Sequence, residues 1–300
     1  MITSEQNTEK QLRRLAAQRQ LYATAKTVFA LQVLLTGPIA VTTSAVAIAL
    51  SAAKGYCALW GIAVSLVDLL VFAPWTRHLR NVAARVQEQF DCDVLSLPWN
   101  DVKAGARPDP ELVKEQADKY NKWASTMPTL RDWYPVAFGD LPLHIGRVAC
   151  QRTNCWWDSK QRRRYATCLI STVVLVFAVM LALAIAQGLT VEGFVLKVAA
   201  PLSPTLLLGI RQFREHGETA SRLDRLKEHS ERLWDDALAG RPAPEVTARS
   251  RALQDEILEN RRKSPLVFDG IYKWLRTGYE SQMNASAEEL VSEAKRKLMG

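Results

Sequence analysis

Apolar residues in this 300-residue chain are gathered into four blocks set in densely charged sequence. Val28 to Leu50 runs 23 residues without a charge, Cys57 to Trp75 runs 19 around Asp68, and Ala166 to Ala186 runs 21 without a charge. The fourth block, Phe194 to Ile210, has 17 residues and carries Lys197, Pro201 and Pro204. At about 1.5 Å per residue the first three cross a hydrocarbon layer of about 30 Å, and the fourth does so once Val191 is counted. The links SAAKGY and QGLTVEG are so short that each joins its neighbours as an antiparallel pair. The pattern predicts an all-α membrane protein: four transmembrane helices as two hairpins, plus a cytosolic helical region. The expected boundaries are an N-terminal helix over 1–26, hairpin 1 over 27–75, a cytosolic connection over 76–165, hairpin 2 over 166–210 and C-terminal helices over 211–300.

Outside the blocks the spacing is helical. Leu12, Leu15 and Tyr22 recur among Arg13, Arg14, Arg19 and Lys26, while Leu79, Val82, Val86 and Phe90 continue the second span past a break expected at Pro74. Residues 91–107 read as a loop, after which Asp109 and Pro110 open a helix to about Thr126. No proline lies between Thr205 and Arg241, so the fourth span is expected to run on into a cytosolic helix. There Leu223, Leu226, Leu233 and Ala237 form an a/d seam with Ser230 as its polar member. Separate helices are expected over 245–263, 265–277 and 285–298.

Charge sets an orientation. The net charge is +8, and apart from Lys54 in the first link and Lys197 in the fourth block, the other 37 of 39 Lys and Arg lie in the tails and the central connection. Positive-inside reasoning therefore places both termini and residues 76–165 in the cytosol. The five cysteines lack paired spacing and read as reduced thiols. A removable signal peptide is not expected from the polar stretch Thr3 to Gln20.

Candidate chemistry concentrates in Arg131 to Tyr165, RDWYPVAFGDLPLHIGRVACQRTNCWWDSKQRRRY. Guanidinium forks beside aromatic faces suit phosphates and stacked bases, which makes Arg147, Arg152, Trp156 and Trp157 candidate ligand-binding residues. Arg162, Arg163 and Arg164 abut the third span and either join that site or anchor the helix at the membrane surface. Asp68 and Lys197 each cost about 2.5–3.5 kcal/mol in a span if unpaired, so they either mark a pathway or pair and snorkel. Gln32, Thr36 and Thr43 share one face of the first span and, with Asp68, form a candidate pore lining; Pro201 and Pro204 are candidate gating bends. No phosphate loop, HExxH or GxSxG occurs, so no enzymatic activity and no cofactor is expected. Cys150 and Cys155 lack a second ligand pair and are expected to pack rather than hold metal.

The strings AAQRQLYATAK, DWYP, LPLHIGRVACQRTNCWWDSKQRRRY, SRLDRLKEHSERLW and LQDEILENRRKSPLVFDGIY resemble the SMODS-associating four-transmembrane effector family of bacteria. The resemblance covers nearly the whole chain with the spans in the same order. It implies a pore-forming effector of anti-phage defence in the inner membrane, triggered by a cyclic oligonucleotide messenger from a cognate cGAS/DncV-like nucleotidyltransferase. It assigns no ligand contacts. Four helices of one chain enclose too little space for a sizeable aqueous path, so a homo-oligomer in the lipid bilayer is expected. Two other readings remain: a membrane-anchored scaffold recruiting a cytosolic partner, and a small housekeeping channel or transporter. A transporter would usually show a repeat between its halves, and none is visible.

Overall fold

The computed structural model describes residues 1–39, 42, 54–123, 130–195 and 199–299, with the backbone alone at 54–55, 57–58, 200–202, 204, 269–278 and 299. All regular structure among them is helical. In chain order the helices are α1 Ile2–Gln6, α2 Glu9–Thr36, α3 Lys54–Val67, α4 Ala73–Val94, α5 Asp101–Ala104, α6 Pro110–Trp123, α7 Leu143–Ala186, α8 Val191–Phe194, α9 Ala200–Leu238, α10 Ala243–Lys263 and α11 Asp269–Met299. A wide π turn, Asp68–Phe72, joins α3 to α4, and a 3-10 turn, Val136–Asp140, precedes α7. Two compact units result, one of Met1–Thr24, Leu79–Arg162 and Glu218–Gly300, the other of Ala25–His78 and Arg163–Gly217.

The first unit is a helical bundle with an apolar core. Leu12, Leu15 and Leu21 of α2, Val86 and Phe90 of α4, Val148 of α7 and Leu233 of α9 are buried together, each such side chain contributing about 1.5–3 kcal/mol. The predicted leucine seam of α9 is part of this bundle: Leu223, Ser230, Leu233 and Ala237 are buried, and the Ser230 hydroxyl donates to the Lys227 carbonyl. The expected separate helices over 265–277 and 285–298 are instead the single α11, beginning at Asp269. No proline follows Pro265, and one mid-helix Gly278 costs only about 1 kcal/mol, too little to force a break.

This core also encloses a polar layer. Asp91 accepts from Gln254 Nε2 at 3.0 Å and from Arg261, while Glu88 accepts from Arg251 at 2.6 Å and from Gln254 at 2.9 Å. Burial, then the Asp91 charge, pushes the Glu88 carboxyl above its usual range, although Arg251 and Gln254 pull the other way. Burial works against the Arg261 charge, but Asp91, Tyr134 and Glu88 together outweigh it and raise the guanidinium above its ordinary value. Such pairs are costly to break from one side, by about 3–5 kcal/mol, because the partner is left charged and buried.

In the second unit the expected break at Pro74 is absent: the helix runs on through the π turn, where Ala73 N–H donates to the Asp68 carbonyl. A proline ring clashes with the carbonyl four residues back, and the wider turn just before Pro74 relieves that crowding. Among the described residues two stretches are long and apolar enough to cross a membrane, Leu59–Val94 and Leu143–Ala186. Where these stretches run through the second unit their apolar side chains face outward, with Leu69, Leu70, Leu175 and Ile185 each more than 60% exposed, an arrangement that suits hydrocarbon rather than water. Small residues allow close approach here: a Cβ on Gly209 would sit 2.5 Å from Val173 Cγ2, and one on Gly37 would sit 3.5 Å from Thr205 Oγ1. Residues 40–41, 43–53 and 196–198, which carry much of the other two predicted spans, lie outside the description.

Candidate functional site

The N-terminal helix shapes a loop that the sequence leaves unassigned. Gln6 is buried and pairs with the Tyr134 backbone in both directions, accepting from its N–H at 2.8 Å and donating to its carbonyl at 3.2 Å. Asn7 does the same for Asp132, accepting from its N–H at 3.0 Å and donating to Oδ1 at 2.8 Å. Asp132 itself has a φ of 52°, a left-handed conformation that Asp tolerates better than most residues. Thus Arg131 to Pro135 is held in one shape against the bundle.

Beside this loop the first unit contains a cavity of about 440 Å³. Arg19 of α2 and Arg131, Trp133 and Tyr134 of the loop form one side of its lining; Asn154 and Trp157 of α7 and Asn284 and Glu288 of α11 contribute the rest. The Arg19 guanidinium lies 5.8 Å from the centre of the Trp133 ring, within cation–π range. Trp133 is fixed by an edge contact to Phe90, and Trp157 by an edge contact of 6.0 Å to Tyr279, which Trp156 also meets at 6.2 Å. Below the wall, Asn154 Nδ2 donates to the Tyr134 hydroxyl at 3.0 Å, and that hydroxyl donates to Asp91 at 2.6 Å. Burial, reinforced by the Asp91 charge, pushes the Tyr134 phenol up, so it remains a donor at any physiological pH. Arg131 is exposed and makes no ion pair among the described residues. Indole faces, guanidinium donors and two carboxamides are the groups that hold a planar, anionic ligand.

Of the predicted ligand residues, Trp156 packs edge-on against Tyr279, while Trp157 lines the cavity. Arg147 does not: buried, it donates from Nε to Leu95 O at 2.7 Å, from Nη2 to Ser96 O at 3.1 Å and from Nη1 to Thr247 Oγ1 at 2.8 Å. Arg152 pairs with Glu231 at 2.9 Å, and Arg162 is buried against Asp158 and the Pro265 carbonyl. Arg163 and Arg164 are exposed in the second unit. Sequence reasoning passed over Arg19 and Arg131, although both lay in basic stretches it had singled out. What it lacked was the meeting of α2 with the loop across more than a hundred residues.

Among the predicted pore residues, Gln32 and Thr36 lie half-buried on α2, and the Thr36 hydroxyl donates to the Gln32 carbonyl. Asp68 opens the π turn, and its Oδ1 has no hydrogen-bond partner among the described residues. Pro201 and Pro204 fall in the first two turns of α9, and their side chains are outside the description. Thr43 and Lys197 lie outside the described residues altogether. Cys150 and Cys155 are fully buried; burial pushes the Cys155 thiol up to about 12 and the Cys150 thiol well above its ordinary value.

Comparison with known proteins then supplies what geometry cannot. Residues 1–290 match the SMODS-associating 4TM effector domain. The chain belongs to that family. It is also 23% identical over 194 residues to a probable CBASS effector molecule of Bacillus cereus (strain VD146), a match spanning 64% of this chain and 63% of that protein. No solved structure matches the chain.

Proposed function

We propose that this family member is a membrane effector of cyclic-oligonucleotide anti-phage defence. In this reading the first unit binds the messenger in its cavity, and several copies together permeabilise the bacterial inner membrane. The observation that carries it is the cavity itself, where Arg131 and Arg19 stand beside Trp133 and Trp157. Phosphates pair with guanidinium forks and bases stack on indole, so one small space offers both halves of a nucleotide what they need. The name of the Bacillus relative supports the same reading.

The described spans, with Val28 to Leu50 and Phe194 to Ile210, make four crossings in two hairpins, with both termini cytosolic as the charge pattern requires. Helix α7 carries Asn154 and Trp157 near its start and an apolar span at its end, without a proline anywhere in it. Ligand would shift the balance toward an open arrangement by binding that arrangement better. Gln32, Thr36, Thr43 and Asp68 would line the path, Pro201 and Pro204 would let α9 bend, and Lys197 would lie in the same span. The cognate nucleotidyltransferase is a functional partner that supplies the messenger.

Titration calorimetry on the detergent-solubilised protein with cyclic di-AMP, cyclic GMP–AMP and cyclic tri-AMP tests the binding step. Stacking is worth about 1–3 kcal/mol per base, so Trp157→Ala should weaken binding roughly 5- to 150-fold, and Arg131→Ala by a comparable factor. No binding by any of these probes, or unchanged affinity in both variants, would favour the scaffold instead.

A further inference from the structure

Asn154 belongs at once to the cavity wall and to the buried polar layer. From its amide a continuous line of hydrogen bonds runs through the Tyr134 hydroxyl to Asp91 Oδ1, and from Asp91 Oδ2 to Gln254 and Arg261 of α10. Tyr134 and Asp91 are each at most 1% exposed, so water does not intervene. Arg261 stands in the last turn of α10. The next segment is held by two further guanidinium groups, Arg80 donating to Ser264 O at 3.0 Å and Arg162 to Pro265 O at 2.9 Å. Beyond it begins α11, which returns Asn284 to the same cavity.

We propose that Asn154 and Tyr134 are the positioning residues through which occupancy of the cavity is read by the end of α10. This rests on the cavity being the messenger site. A ligand oxygen, from a phosphate or a base carbonyl, draws the Asn154 amide toward the cavity and away from Tyr134. Hydrogen bonds in a chain polarise one another, so a phenol that no longer accepts becomes a weaker donor. Asp91, less well satisfied on Oδ1, then draws harder on Arg261 and Gln254 through Oδ2. The result is a tighter α10 terminus and a more firmly held 264–268 segment. Tyr134→Phe separates this relay from simple contact, because it keeps the ring and the loop backbone and removes only the bridging hydroxyl.

The test is hydrogen–deuterium exchange on the full chain in detergent, with and without whichever of cyclic di-AMP, cyclic GMP–AMP or cyclic tri-AMP binds it. For the wild type, ligand should slow exchange in cavity peptides over 131–137 and 280–288 and also in peptides over 257–267. In Tyr134→Phe and Asn154→Ala, each measured at nucleotide concentrations raised until its cavity peptides are protected, the 257–267 response should disappear. A 257–267 response that persists in Tyr134→Phe, or a Tyr134→Phe protein that no longer binds, overturns the relay and leaves the cavity assignment standing through the wild type. If no probe protects the wild-type cavity peptides, the cavity reading itself fails, and the relay with it.

Discussion

Arg147 shows what a single guanidinium does when it is enclosed. Two of its three hydrogen bonds go to backbone carbonyls just past the end of α4, that of buried Leu95 and that of exposed Ser96. A buried acceptor left unmet costs about 1–3 kcal/mol, so losing the bond to the Leu95 carbonyl should make Arg147→Ala destabilise the first unit by about 1–3 kcal/mol. A thermal melt followed by tryptophan fluorescence should move down by several degrees; an unchanged melt would return Arg147 to the pool of ligand contacts. A second residue-scale expectation concerns acid. Burial opposes the charge on Asp93, yet Lys10 and Arg14 donate to it at 2.8 and 2.6 Å and hold its carboxyl below the usual range. A depressed folded value stabilises fully above the unfolded value of about 4 and is lost as pH falls through the lower folded one. Glu88, whose carboxyl is raised, has the opposite sign: its contribution is present below about pH 4 and is lost as pH rises through its raised value. Asp93→Asn should therefore lower the melting temperature at pH 7, with the gap to wild type closing as pH approaches 2. Parallel curves would contradict the pairing.

At the scale of elements, helices were legible because their signals are local. Asp109 and Pro110 open α6, Pro242 and Pro265 bracket α10, and the absence of proline between Thr205 and Arg241 lets α9 run. The loop before α7 was not legible, because Gln6 and Asn7 hold it through hydrogen bonds more than 120 residues apart in sequence. For the same reason the arginines of the α7 stretch could not be sorted by spacing: Arg147 and Arg152 turn to α10 and α9, elements a hundred or eighty residues away. The π turn escaped notice because Pro74 predicts trouble without saying how the chain resolves it. Close packing inside the second unit is open to test. Gly209 leaves no room for a Cβ against Val173, so Gly209→Ala should lower the detergent melting temperature, and Val173→Ala, by removing Cγ2, should restore most of it. Equal losses that simply add would mean that the contact is not tight in solution.

The whole molecule joins a ligand-sized cavity in one unit to outward-facing apolar helices in the other, with α7 contributing residues to both. A formal charge of +8 suits an anionic messenger and anionic lipid headgroups alike. Dye release from liposomes measures the coupling of nucleotide binding to a membrane lesion. Purified protein is reconstituted into vesicles, and cyclic di-AMP, cyclic GMP–AMP or cyclic tri-AMP is added to the face that exposes the termini. Release should require the nucleotide, rise steeply with protein-to-lipid ratio as an oligomer demands, and be lost in Arg131→Ala and Trp157→Ala although both variants insert normally. Release without any nucleotide, or equal release from wild type and both variants, would contradict that coupling.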